Sequence, residues 1–498
     1  MGPIGERVVS KVSRSFLIGH HSFGSISLAN SGGKRLETTP AGYLELLRGN
    51  RGFRQLWLGQ VVSQMGDWFD TIALYTIILN LTGSGRAIGL LLVARFVPSF
   101  IFGSLSGVVA DRFSRRSIMI ISDLLRAVVV LGFLLVRRAD QLWIIYFLTV
   151  LQLAFSTFFE PAKTAAIPSI VSDRELVSAN AISSVTWSVM LTLGAAIGGV
   201  VTGWFGTDVA FILDALTYLL SAALIATVRF PKRAPREKSK LTINRALGIT
   251  ETIEGARYVK RRPRVLALLL VKPAWGLGGG ILTLLAVFGE KIFPVGNSAA
   301  TGIGVLFAAR GIGTAVGPIV ARRISGEGKK RMQASIGIAF LIAAAFYMAF
   351  GGATSFVLAL IVLGLAHTGG SILWVFSTVL LQRGVEDGFR GRVFAAELAL
   401  LTLTMALSNY MTGELLDRFG LSPRVVAIGI GAFFLIPGIA WFATQRWWDT
   451  DKNEPAEKVV HLSRAEEPES AGLGLIAQPQ RPRSPRYVWN LANDEPGK

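Results

Sequence analysis

Apolar runs recur along the whole chain, separated by short segments rich in Gly, Pro and charged residues. A helix of about 20 apolar residues crosses a hydrocarbon layer about 30 Å thick. The pattern predicts about twelve such spans, at 54–80, 86–110, 117–137, 141–167, 178–204, 207–228, 265–292, 299–321, 332–351, 355–381, 392–416 and 422–445. Because backbone polar groups need partners inside a bilayer, spans of this length must be helices. We therefore predict an all-α membrane protein.

The polar segments divide the chain into five parts. Residues 229–264 form the longest interruption and separate six spans from six, which indicates a linker between two six-helix bundles at 54–228 and 265–445. The linker contains the helix-like stretch "ALGITETIEGARYVKRRPRV". Residues 1–53 lack a sustained apolar segment, so we expect a basic arm rather than a cleaved signal peptide, with a short helix at "TPAGYLELL". Residues 446–498 are rich in Pro, Glu and Arg and are expected to be disordered.

Composition and charge fit this interpretation. The 498 residues are 51% hydrophobic and carry a formal net charge of +19. Most of the 51 Lys and Arg residues fall in segments on one side of the predicted topology, so the positive-inside rule places both termini in the cytoplasm. Nucleic-acid binding is therefore not needed to explain the charge. Cysteine is absent and the four histidines lack metal-ligand spacing, so we expect no disulfide, no metal site and no cofactor.

The turn between spans two and three concentrates charge in "SGVVADRFSRRS", residues 106–117. Gly107 permits close helix approach, and an acid beside several basic residues can form an ion-pair latch at the membrane surface. We predict a cytoplasmic gate formed by Gly107, Asp111, Arg112, Arg115 and Arg116. The corresponding turn of the second half, "GPIVARRISGEGKK", repeats the pattern around Gly317 and indicates an internal repeat. The alternative is that these charges only fix topology.

This turn resembles the signature of the major facilitator superfamily, which Gly107, Asp111, Arg112 and Arg116 match. The segments "FRQLWLGQVVSQMGDWF", "FEPAKTAAIPSIVSDRELVSANAIS" and "LLQRGVEDGFRGRVFA" are similar to the bacterial drug:proton antiporters, the branch that includes the enterobactin exporter and macrolide efflux pumps. The resemblance implies two bundles in a bacterial inner membrane, alternating access, and a turn that closes the cytoplasmic gate in the outward-facing state.

Two further segments carry recognisable patterns. "GELLDRFG" at 413–420 matches the start of the same signature but falls at the predicted outer end of span eleven, so we assign it no gate role. "GAAIGGVVTG" in span five brings small residues onto the helix surface and predicts close packing against another helix. These residues are Gly194, Gly198, Gly199 and Gly203.

Span one carries a polar stripe. Gln60, Gln64, Asp67, Thr71 and Tyr75 follow one another at steps of three or four and share a helical face. A carboxylate in mid-membrane normally faces a cavity or a partner. Burial favours a protonated carboxyl group and a nearby cation favours an ionised one, so alternating exposure can load and release a proton.

The best candidates for proton binding are therefore Asp67 and Asp70, with Arg95 as the expected partner. The alternative is a permanent ion-pair network between helices. Asp123 and Arg126, spaced i, i+3 in span three, are further candidates. They either form an ion pair with each other or reach the arginines of the predicted gate.

Ionisable and aromatic residues also occur within other spans. Lys272, Arg310, His367 and Glu397 are isolated in sequence, and the basic ones could serve an amphiphilic or anionic cargo. A lone histidine is more often a packing residue, and Trp68 and Trp374 either stack on cargo or pack against neighbours. The substrate-cavity candidates are Gln64, Trp68, Thr71, Arg310, His367, Trp374 and Glu397.

No nucleotide-binding loop appears, so active transport would use an ion gradient. We predict a secondary transporter, not an enzyme, that exports a hydrophobic or amphiphilic molecule (a drug, a macrolide or a siderophore-like compound) in exchange for protons. The expected partners are a small-molecule substrate, protons and membrane lipids, and we expect a monomer. Transport of lysophospholipids and a transporter-like sensor or scaffold remain alternatives. No nucleophile, base and orienting residue can be grouped into a catalytic site.

Overall fold

A computed structural model of the chain describes residues 41–231, 249–296, 298–325 and 328–449. The first bundle begins with a short helix and continues through long helices joined by tight turns. These elements are α1 (Tyr43–Gly49), α2 (Arg51–Thr82), α3 (Gly85–Arg112), α4 (Arg115–Gly132), α5 (Leu142–Ile170), α6 (Asp173–Val189), a π-helical turn (Met190–Gly194) and α7 (Ala195–Thr227).

The second bundle follows the same plan after a linker helix. Its elements are α8 (Ile249–Lys260), α9 (Pro263–Gly276), α10 (Ile281–Lys291), α11 (Ala299–Ser325), α12 (Lys329–Gly352), α13 (Phe356–Gly384), α14 (Asp387–Asp417) and α15 (Pro423–Asp449). α8 lies within the predicted helix-like part of the linker, and α1 lies where the short helix was predicted. Most of the predicted basic arm (1–53) and of the predicted disordered tail (446–498) falls in residues 1–40 and 450–498, which lie outside the described residues.

Local sequence fixes the helix ends. The Asn50 side chain accepts a hydrogen bond from the Phe53 backbone at the start of α2, and Ser84 and Ser114 cap α3 and α4 in the same way. Gly83 ends α2 with φ +59°, a left-handed conformation that favours glycine. Gly206, with φ +86°, turns the chain inside α7, so predicted spans five and six lie before and after it.

The predicted spans correspond to these helices. Among the described residues, ten helical segments are long and apolar enough to cross a membrane, and one of them, the 55-residue Asp173–Thr227, holds spans five and six. α2 has 32 residues but is not among the ten, because its polar stripe lowers its hydropathy. Span seven was predicted as one helix, but the glycine-rich stretch 276–280 interrupts it between α9 and α10.

Hydrophobic side chains occupy both the interior and the outer surface of the bundle. A continuous buried core runs through both bundles and includes Tyr75, Phe211, Phe288 and Phe340. α4 leaves a row of apolar side chains exposed, which are Leu124, Leu125, Val128 and Leu131. In a membrane this face is solvated by lipid rather than by water, so its exposure carries no penalty.

Candidate functional site

A cavity of about 730 Å³ lies between the two bundles. Most of its wall comes from α2, α3, α5, α6 and α7, and the second bundle contributes Leu282, Phe307 and Arg310. The lining extends from Tyr75 in mid-span to Ile167, close to the end of α5. Of the predicted cavity residues, those that line it are Gln64, Trp68, Thr71 and Arg310. The volume is that of a site for a drug-sized molecule.

A charged and polar network occupies one wall of this cavity. Asp67 on α2 accepts a hydrogen bond from the Tyr218 hydroxyl, and its Oδ1 lies 3.7 Å from Nη1 of Arg126. Arg126 is buried and pairs with Asp123, whose other oxygen accepts a hydrogen bond of 2.7 Å from Ser221. The Asp67 side chain is 39% exposed to the cavity, whereas Asp123 is fully buried. Asp67 therefore has access to water, whereas Asp123, the other acid that contacts Arg126, remains inside the protein.

Two more carboxyl groups lie behind this wall. Asp70 is buried one turn from Asp67 and accepts a hydrogen bond of 2.8 Å from Gln152, but its Oδ1 has no hydrogen-bond partner. Asp214 on α7 is also fully buried, and its Oδ2 has none either, although Thr217 donates to Oδ1 at 3.2 Å. Buried carboxylate oxygens are normally paired, so these two are sites where a proton would compensate burial.

The sequence analysis identified most of this network and missed part of it. Arg126, rather than the expected Arg95, is the ion-pair partner of Asp67, and within the described residues Arg95 forms no ion pair with Asp67 or Asp70. Asp214 and Tyr218 were not predicted. They belong to a stripe with Thr217 and Ser221 at helical spacing, so the periodicity test that we applied to span one would have found them in span six.

Apart from Arg310, the predicted ionisable residues of the second bundle are engaged with other side chains and do not line the cavity. Lys272 and Glu397, which look isolated in the sequence, form a buried ion pair of 2.7 Å. Trp374 stacks over the Lys272 ammonium group at 4.8 Å, and His367 Nε2 hydrogen-bonds the Tyr347 hydroxyl at 3.0 Å. Of the predicted cavity residues, His367 and Glu397 are buried in helix packing and Trp374 is 43% exposed, and none of the three lines the cavity.

We call the end of the molecule that carries residues 83–84 and 418–422 the outer end, after the predicted topology. Here α3 and α14 contact each other across the two bundles. Asp417 Oδ1 accepts a hydrogen bond of 3.1 Å from the Gly85 backbone, and its Oδ2 accepts bonds of 2.9 and 2.5 Å from the Arg86 backbone and the Ser84 hydroxyl. Glu414 pairs with the Arg86 side chain at 2.8 Å. "GELLDRFG", which we assigned no gate role, therefore holds the bundles together at this end.

Glycines also bring the two bundles together near the outer end, between α7 and α11. A Cβ atom at Gly199 of α7 would lie 2.9 Å from the Gly304 Cα of α11, and one at Gly203 would lie 2.6 Å from the Thr301 hydroxyl. A Cβ at Gly194 or Gly198 would instead meet Trp68 of α2. The predicted close packing of the span-five glycines is confirmed, and it involves two different helices.

At the opposite, inner end the predicted gate residues lie on the first bundle. Arg115 donates to the Ala165 carbonyl of α5 at 2.6 Å, and Arg116 donates to the Ala226 carbonyl of α7. Asp111 and Arg112 are exposed at the end of α3. The expected close helix approach at Gly107 is not seen among the described residues, since no neighbouring side chain or other helix lies within 4 Å of a Cβ placed there. The described residues of the two bundles are thus tightly packed at the outer end, whereas Gly107 makes no such close contact with them.

Membrane-length helices around a polar cavity that is closed at one end define a multi-pass membrane transporter. The sequence profile of the Major Facilitator Superfamily matches residues 56–396. This chain belongs to that superfamily, and the resemblance seen in the sequence is confirmed.

Individual relatives agree with this family. The uncharacterized MFS-type transporter YfiS of Bacillus subtilis is 27% identical, with 83% of this chain and 99% of YfiS aligned. Macrolide efflux protein A of Streptococcus pyogenes is 24% identical, with 78% of this chain and 92% of that protein aligned. The crystal structure of a bacterial homologue of the human lysosomal transporter Spinster superposes with a TM-score of 0.64 at 17% identity, covering 81% of this chain and 98% of that chain, which shows the fold alone.

Proposed function

We propose that this transporter exports amphiphilic small molecules in exchange for protons, by alternating access of the central cavity. The acid network on the cavity wall carries the proposal. Asp67 is open to the cavity and bonded to Tyr218 and Arg126, while Asp70 and Asp214 are buried with unpartnered oxygens. A proton-coupled transporter needs a group that gains a proton in one state and loses it in another, and buried acids beside a cavity suit that requirement.

The arrangement of the two ends supports alternating access. With the predicted topology, the Asp417 contacts and the α7–α11 glycines close the cavity toward the outside, and the space beside Gly107 among the described residues suits an opening toward the cytoplasm. Transition to the outward-facing state requires the outer contacts to break and the inner ends of the bundles to meet. We propose Asp417 and Glu414 as the outer latch and Gly107, Asp111 and Arg112 as parts of the inner gate.

Coupling follows from competition for Arg126. When Asp67 is ionised, Arg126 is shared between Asp67 and Asp123. Protonation of Asp67 removes its attraction for the guanidinium group, so Arg126 is held by Asp123 alone and the contact between α2 and α4 weakens. Cargo that donates a hydrogen bond to Asp67 through a hydroxyl or amino group would favour the ionised carboxylate and expel the proton, which links cargo loading to proton release. Export is proposed because of the similarity to macrolide efflux protein A.

Everted membrane vesicles from cells that express the protein provide the test. Respiration acidifies their lumen, and a fluorescent amine reports the pH gradient while macrolides, hydrophobic cations and siderophores are added. A proton antiporter releases lumenal protons when its cargo is supplied, so we expect partial collapse of the gradient with the wild-type protein. Asp67→Asn should abolish the response.

Asp140→Asn is the matched control, because Asp140 is an exposed acid that pairs with Arg138 away from the cavity. It should behave as wild type. If a compound crosses the membrane through the protein while the gradient stays unchanged in every form, proton coupling is wrong. A uniporter or a lipid transporter would then replace the proposal.

A further inference from the structure

Two cavity arginines form no ion pair with the described acids of the network, although Arg95 lies close enough to Asp70 to interact with its charge. Arg95 of α3 and Arg310 of α11 line the cavity from opposite bundles. Nη1 of Arg95 and Nε of Arg310 are both shielded from solvent, and neither has a hydrogen-bond partner. Leaving a charged donor buried and unsatisfied costs more than leaving a neutral one, so an anionic ligand beside two arginines that form no ion pair would be stabilised there.

The protein itself does not supply that anion. Among the described residues, no Asp or Glu oxygen forms an ion pair with Arg95 or Arg310. The two acids that line the cavity are already engaged, since Asp67 bonds Tyr218 and Arg126, and Glu160 bonds Lys163 at 2.8 Å. Arginine remains charged at any physiological pH, so the two cations cannot relieve their burial by losing a proton.

The wall beside these arginines is aromatic. Phe307 lies next to Arg310, whose guanidinium carbon is 5.9 Å from the ring centroid. Tyr75 stacks on Phe307 with ring centroids 5.6 Å apart, and Trp68 packs against the same ring at 5.8 Å. A flat apolar surface next to two donors matches a molecule with an apolar body and an anionic group.

We propose that Arg95 and Arg310 form an anion subsite, and that the cargo is an amphiphile whose carboxylate or phosphate bridges the two bundles while its apolar part packs on Trp68 and Phe307. This proposal rests on the transport function proposed above and names its substrate class. An anion held by both bundles also favours the state in which the bundles are close around it.

Equilibrium binding to the full-length protein in phosphatidylcholine nanodiscs tests the subsite without a pH gradient. The probe is radiolabelled fusidate, a rigid amphiphile with one carboxylate, and its methyl ester and lysophosphatidylglycerol are competitors. We expect the ester to compete at least about 10-fold more weakly than unlabelled fusidate, because a charge-assisted hydrogen bond is lost. Arg95→Gln and Arg310→Gln should each lower fusidate affinity by a similar factor, and Arg310→Lys should retain part of it.

Arg383→Gln is the control, because Arg383 is exposed at the end of α13. It should leave affinity unchanged, and melting temperatures establish that each variant is folded. Direct binding of radiolabelled lysophosphatidylglycerol that both glutamine variants weaken, with no fusidate binding, would assign the subsite to lipid phosphate. Equal competition by acid and ester, unchanged affinity in both glutamine variants, or no binding of either anion would overturn the proposal. Anion binding without any gradient response in vesicles would leave the subsite in place and remove proton coupling.

Discussion

The outer latch offers a direct test of the conformational cycle. Replacement of Asp417 by Ala removes three hydrogen bonds, those from the Ser84 hydroxyl and from the Gly85 and Arg86 backbones. These bonds cross from α14 to the beginning of α3, so they exist only while the outer end is closed. In the open state water replaces them, and the variant loses nothing there. Asp417→Ala should therefore destabilise the closed outer end selectively.

The size of the effect follows from the position of the carboxylate. It acts as a helix cap supplied by the other bundle, and loss of a capping side chain costs about 0.5–2 kcal/mol. Its negative charge also interacts favourably with the amino end of the α3 dipole, by about 0.3–1 kcal/mol at an exposed site. Together these give about 0.8–3 kcal/mol, or a roughly 4- to 160-fold increase in the ratio of open to closed molecules. Asp417→Asn keeps one acceptor and should fall between wild type and Asp417→Ala.

Distance measurements between spin labels can detect this shift. The chain has no native cysteine, so Leu135→Cys and Val357→Cys introduce the only labelling sites. Both side chains are exposed near the outer end, one on each bundle. We expect a longer distance component to grow in Asp417→Ala. The exposed control Asp140→Ala should leave the distribution unchanged. If Asp417→Ala folds with a normal melting temperature and its distance distribution equals that of wild type, the latch assignment is wrong.

Three further predictions concern the buried charges and the glycine contact. Lys272→Met leaves Glu397 buried without its partner and should lower the free energy of unfolding by about 3–5 kcal/mol. Lys272→Met combined with Glu397→Gln should recover much of this stability. Equal stability of the single and double variants would contradict a paired site. Gly199→Leu should prevent closure of the outer end, because even its Cβ would meet Gly304, and the same spin-label pair should then report mainly the open distance. Asp214→Asn should keep its bond with Thr217 and still bind cargo but release fewer protons, and an unchanged gradient response in vesicles would exclude it from the proton pathway.

The sequence by itself determined which segments form membrane-spanning helices and which of them carry ionisable or closely packing residues. Periodic apolar runs fixed the spans because a bilayer accepts only long helices with satisfied backbones. Intramembrane acids marked the cavity wall, since a charge such as Asp67 cannot remain in lipid without a partner or water. The glycine pattern of span five predicted close contact because small side chains leave room for a second backbone.

Only the tertiary structure decided which residues meet. Helical spacing places residues on a face but does not say which helix that face contacts, so Arg126 rather than Arg95 became the partner of Asp67. For the same reason Lys272 and Glu397, which are 125 positions apart in the chain, looked isolated until α9 and α14 were packed together. The role of Asp417 was hidden because its partners lie on α3, more than 300 residues earlier. Contacts between distant helices depend on the shape of the whole bundle, which no local pattern of residues encodes.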